Sequence, residues 1–239
     1  MRGSIRKLNN GFLSFRQSTR ERGLTALLVI EGSLIFVGVP LVGLGALPPI
    51  AVPLMFMLMV IAILIVASHS RVAAAVVVLA ALLSPFGAFV RAEHPSLLTE
   101  CLSAAGRLLA LCTLTWVIAH AVFAGGRITV HRIQGAVLLF LNFALFFFVL
   151  YRFIYVLTPH AFNGLPDGGE GEVGAALLYF SFTTLTTAGF GDIAPLHPFA
   201  RSLASLESVI GMLYPATLLA RLVSLELEHR RQSKSERAH

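Results

Sequence analysis

The chain has 239 residues, of which 56% are hydrophobic and only 13% charged, with a mean hydropathy of +0.82. A soluble domain carries about 25% charged residues, so much of the usual solvating surface is missing and a water-soluble globular fold is excluded. The net charge of +6 sits mostly in tails and short loops, which gives it a topological meaning and not a nucleic-acid one.

Residues Met1 to Gly23 form a basic tail with Arg2, Arg6, Lys7, Arg16, Arg20 and Arg22. Ile5, Leu8, Phe12 and Phe15 would let a helix lie on the inner membrane surface. Asn9-Asn10-Gly11 interrupts it, so a disordered tail is the equal alternative. A cleaved signal peptide is disfavoured, because the next apolar run is too long for an h-region and contains Glu31.

Apolar runs of about 20 residues follow, each long enough to cross a bilayer. They cover 24–47, ending at Pro48-Pro49, then 50–67, and 72–90 with a kink expected at Pro85 and Gly87. Residues 91–100 read as a polar loop. Further runs cover 102–123 and the phenylalanine-rich 133–157. A re-entrant section over 158–197 precedes the last helix, 198–225, and a short frayed polar tail. The expected fold is an all-α membrane protein with six crossings. Its parts are an N-terminal tail (1–23), a four-helix domain (24–132), a final two-helix domain (133–225) and a C-terminal tail (226–239).

Lys and Arg test this count because they collect on the cytoplasmic side. The side holding both termini has the basic tail, Arg71, Arg127, Arg132, Arg230, Arg231, Lys234 and Arg237. The opposite loops carry Arg91 with Glu93, Glu100, Asp167, Glu170, Glu172 and Asp192. Both termini are therefore expected in the cytoplasm and the chain in the cell's inner (plasma) membrane. The alternation holds only if 158–197 enters and leaves from the outer side.

Within that section, Gly174 to Leu185 is too short and too rich in hydroxyls to span the membrane. It leads into Thr186-Thr187-Ala188-Gly189-Phe190-Gly191-Asp192. A dehydrated cation needs oxygens in place of its water shell. Backbone carbonyls supply them if the strand tolerates unusual dihedrals, which Gly189 and Gly191 allow. Thr187 adds a hydroxyl oxygen. One strand cannot encircle an ion, so a pore needs several chains.

Thr187 to Asp192 resembles the potassium-channel signature Thr-Val-Gly-Tyr-Gly-Asp, and Tyr179 to Thr186 resembles that family's pore helix. Downstream, Pro195, Arg201 and Gly211 fall where the family has a post-filter proline, the start of the inner helix and a hinge glycine. The likeness runs from about 135 to 225; before that it is architectural, as in six-transmembrane channels with a four-helix sensor. It implies a homotetramer in the lipid bilayer, with potassium ions held at Thr187, Ala188, Gly189 and Phe190 and a filter extending to Gly191. Thr183, Thr186, Asp192 and Glu207 would support the filter. Ala188 replaces a β-branched residue and Phe190 a tyrosine, so a weakly selective cation channel is an alternative. A non-conducting sensor or accessory subunit is another. A transporter on this element repeats it four times in one chain; here it occurs once.

On the last helix, Ser208, Met212, Pro215, Leu219 and Val223 share one face, which the resemblance turns toward the ion cavity. Gly211 and Pro215 would be the bend, and Leu219 and Val223, with Met212 above them, the gate. Glu207 needs a partner in the membrane; a hydroxyl of Thr183 or Thr184 is expected, as a link to the filter or as a purely structural anchor. The fourth run carries Arg107 alone, too few charges for strong voltage sensing. Glu31 and Arg107 differ by about 10 Å in depth at the helical rise per residue, so their pairing needs tilt or a long reach. Cys101 and Cys112 imply no disulfide. The histidines are scattered along the boundaries. No nucleophile–base pair or metal spacing suggests an enzyme, no cofactor is expected beyond permeant potassium, and the regulatory partner is open.

Overall fold

A computed structural model describes residues 25–47, 96–123 and 130–237, with isolated positions between 54 and 90. The basic tail and most of the runs expected at 50–67 and 72–90 lie outside the described residues. Four described helices are long and apolar enough to cross a membrane: Thr25–Gly43, Leu97–His120, Ile133–Leu157 and Pro198–Arg221. The chain is a mostly helical, multi-pass membrane protein.

Helix α1 spans Thr25–Gly43 and widens to a π-helix over Leu34–Gly38. Pro40 lacks the N–H that would bond to Phe36, and the local widening is one way a helix absorbs that loss. Helix α2, Leu97–Phe123, begins inside the stretch expected to be a loop. Ser96 is the reason: its Oγ accepts from the Thr99 N–H at 3.3 Å while Thr99 Oγ1 accepts from the Ser96 N–H at 3.2 Å. This reciprocal cap satisfies the first orphan donors. Helix α3 is Val130–Leu157. Gly135 lies where α2 and α3 approach closely; a Cβ there would sit 3.0 Å from Val122.

A single 3-10 turn, Pro159–Ala161, leads into strand β1, Phe162–Asn163. Helix α4 then covers Glu170–Leu185. It is 16 residues long, short of the ~20 that a span requires. It starts four residues before the expected Gly174, so Glu170 and Glu172 are its first turn and not a free acidic loop. Their charge suits the positive end of the helix dipole, and Glu170 pairs with Arg152 at 3.1 Å. After the glycine stretch, β2 (Ala194–Pro195) pairs antiparallel with β1, Asn163 opposite Ala194. The chain thus returns to where it left.

Helix α5 runs from Pro198 to Arg237, well past the frayed tail expected after Leu225. Residues 226–237 contain neither Gly nor Pro and are rich in strong helix formers. Two apolar clusters hold these elements together. One joins Leu27 and Ile35 of α1, Leu111, Leu114 and Ile118 of α2, Leu138 and Leu145 of α3, and Leu178 of α4. The other gathers Phe147, Tyr151, Phe162, Leu177, Phe180, Ile193 and Ala200 beneath the glycine stretch. Helix α1 also rests on α4: a Cβ on Gly43 would lie 3.0 Å from Ala175, and Phe36 meets Phe182 at 5.6 Å. Glu31 is buried, and neither carboxylate oxygen has a hydrogen-bond partner among the described residues. The Glu31–Arg107 pair is therefore not made.

Candidate functional site

The site is the turn from α4 into β2. Thr187 has φ +56°, Gly189 +53° and Gly191 +81°, while Ala188 and Phe190 between them stay negative. In a uniform strand successive carbonyls point to opposite sides; alternating the sign of φ turns every other peptide over and brings them to one side. The left-handed conformation costs a non-glycine residue about 1–2 kcal/mol, a strain that Thr187 alone carries here.

The carbonyls at the end of α4 hold the stretch. Thr186 N–H donates to Phe182 O at 3.0 Å, Thr187 N–H to Thr184 O at 3.0 Å, and Gly189 N–H to Thr183 O at 3.1 Å. The Thr186 hydroxyl adds a bond to Phe182 O at 2.7 Å. Thr183 is buried and donates its own hydroxyl to Phe180 O, so its support comes through its backbone carbonyl. The orphan acceptors of a helix C-terminus thus bind the strand.

At the outer end the Phe190 ring stacks on Tyr179 at 6.2 Å with 3° between planes. The Tyr179 hydroxyl also interacts with the Asp192 carboxylate. Asp192 therefore does reach back to the helix before the glycines, through Tyr179. Gly164, at φ +81°, touches the other side: a Cβ there would lie 1.9 Å from Asp192 O. Sequence reasoning missed Gly164 and the β1–β2 clip, although Asn163-Gly164 is a turn signal.

Helix α5 presses against the same helix end. Gly211 is buried, and a Cβ on it would sit 1.8 Å from Leu185 O. Ser208 donates to Thr184 O at 3.3 Å, so its side chain turns to α4 and leaves the face expected to carry it. Met212, Pro215, Leu219 and Val223 do share an exposed face. One turn up, Glu207 is fully buried. Its partners are the Tyr151 hydroxyl, 2.6 Å away on α3, and the Ser181 hydroxyl on α4. The expected Thr183 or Thr184 hydroxyl is not among them, because Thr183 turns to Phe180 and Ser181 occupies the contact. Arg201 donates from Nε to Pro195 O at 2.9 Å. Below Gly211, the Tyr214 hydroxyl donates to Ala136 O of α3 at 2.8 Å.

Thr186 through Asp192 are exposed, and Phe190 is 72% exposed. Among the described residues no group of His, Cys, Asp or Glu is placed to hold a metal ion. Oxygens of the strand itself are the ligands this site offers, and they are hard ligands suited to alkali cations.

A family model described as "Ion channel" matches residues 135–227, from early α3 into α5. The voltage-gated delayed rectifier potassium channel KCNH1 of Rattus norvegicus is 34% identical over 74 residues, covering 28% of this chain and 8% of that protein. The protein of the same name from Homo sapiens matches to the same extent. The matched part is thus a small fraction of those relatives. The region that the family model matches coincides with the elements that build the glycine stretch, so this part of the chain is similar to an ion-channel domain and, over a short stretch, the chain is similar to a potassium channel.

Proposed function

We propose that this protein is a potassium-selective channel conducting passively through a homotetrameric pore in the cell's inner membrane, with both termini cytoplasmic and six crossings per chain. The observation that carries the reading is the alternating left-handed backbone at Thr187, Gly189 and Gly191, tethered to the end of α4 and exposed in a single chain. Four such strands around an axis would offer stacked rings of oxygens at Thr187, Ala188, Gly189, Phe190 and Gly191. Backbone of this kind at membrane depth is tolerated where it lines an aqueous path. Asp192, Thr183, Thr186 and Glu207 support the strand. Arg107 alone on α2 makes strong voltage gating physically unavailable. Purified protein in potassium-loaded liposomes discharges a potassium gradient on this reading; no flux under any pH or voltage would sink it.

In the assembly, Met212, Pro215, Leu219 and Val223 face the ion path below the filter. Leu219 and Val223 are 65% and 51% exposed in the single chain, and rings of such side chains close a pore by dewetting. Leu219→Ser or Val223→Ser should raise resting potassium flux about tenfold, if wetting the gate removes roughly 1.4 kcal/mol of barrier. Unchanged flux in both would move the gate elsewhere.

A further inference from the structure

Ser181 Oγ lies within hydrogen-bonding distance of two acceptors at once: the Ala144 carbonyl of α3, at 2.8 Å, and a Glu207 carboxyl oxygen of α5. A hydroxyl has one hydrogen to give. If it goes to Ala144, the contact with Glu207 needs a second proton, and the carboxyl group is the one atom set there that can carry it. The Tyr151 hydroxyl meanwhile donates to the other carboxyl oxygen. We propose that Glu207 is a neutral, protonated acid that donates to Ser181, which donates to Ala144, and so acts as a three-helix latch positioning the filter.

Every hydrogen in this chain of bonds then has an acceptor. The surroundings agree: Glu207 is fully buried, and the polar groups acting on it are the Ser181 and Tyr151 hydroxyls. No cation among the described residues pairs with it, and Arg201 is spent on Pro195. An isolated carboxylate at membrane depth is costly, whereas a protonated acid loses little. The latch matters because its three anchors are the outer helix, the helix that ends at the filter and the helix that lines the path. Ser181 directly precedes Phe182, Thr183 and Thr184, whose carbonyls hold Thr186, Thr187 and Gly189. Glu207 touches no permeant ion and is a positioning residue. Its role in conduction rests on the channel reading; its protonation does not.

Infrared spectra of the full chain in lipid nanodiscs at neutral pH test the proton directly. A protonated-carboxyl C=O band should be present, vanish in Glu207→Gln, and move to higher frequency in Tyr151→Phe, where the carbonyl oxygen loses its donor. Glutamine mimics the neutral acid, so E207Q should keep potassium flux within about twofold and melt like the parent, while Glu207→Ala leaves the buried Tyr151 hydroxyl without its acceptor and Ser181 without its donor and should lose about tenfold or more. A wild-type spectrum without an E207Q-sensitive acid band overturns the proposal, as does E207A matching wild type in both flux and melting. If wild type carries no flux, the channel reading fails, and the band still decides whether Glu207 holds its proton.

Discussion

On the proposed tetrameric-channel reading, Gly189→Ala should abolish potassium flux without preventing the chain from folding. Nothing among the described residues of the same chain lies within 4 Å of where its Cβ would go, so crowding within the chain is not the cause. The cause is φ +53°, which costs an alanine about 1–2 kcal/mol in each chain and so about 4–8 kcal/mol in a ring of four. The cheapest relief is to turn the peptide over, which points one ring of carbonyls away from the path. It also breaks the Gly189 N–H bond to Thr183 O. Gly174 provides the contrast: it too has open space, but it lies inside α4 with ordinary helical dihedrals, so Gly174→Ala should conduct normally. Liposome flux with size-exclusion analysis checks both. Full flux in G189A would show that the left-handed turn is dispensable.

Gly211→Ala should be among the most damaging single methyls outside the filter. The added carbon would sit 1.8 Å from Leu185 O, a backbone atom that cannot step aside. Helix α5 must retreat by more than an ångström, opening the Ser208–Thr184 bond and the Glu207 contacts with it. Overpacking of this kind typically costs about 1–3 kcal/mol, and here it falls on the last residue of α4, just before the glycine stretch. A lower melting temperature and lost flux are expected together. A glycine serving only as a hinge would behave differently, since alanine would then restrict opening while leaving the melting temperature unchanged. Thermal melts alongside flux separate the two roles.

How much of this was legible beforehand follows from what each signal is made of. The apolar runs and the glycine alternation are local properties, so four of the spans and the special strand could be read directly, along with the short helix before it. Helix ends were less accurate, because Ser96 caps α2 and Glu170 and Glu172 start α4 through polar residues that also favour loops. Which hydroxyl meets Glu207 depends on how two helices are rotated and how deep each sits. Spacing of three or four residues fixes a face, not a neighbour, so Ser181 and Tyr151 could not be chosen over Thr183 and Thr184. The same limit explains Ser208, which shares a face with Met212 yet turns to α4. The β1–β2 clip rests on two-residue strands that no periodicity could reveal.

The central claim is that the alternating strand selects potassium, and a reversal potential measured with potassium on one side of a bilayer and sodium on the other tests it most directly. Carbonyl rings fitted to the larger, less strongly hydrated ion predict a reversal far toward the potassium equilibrium potential. A reversal near zero at equal potassium and sodium concentrations would contradict the account.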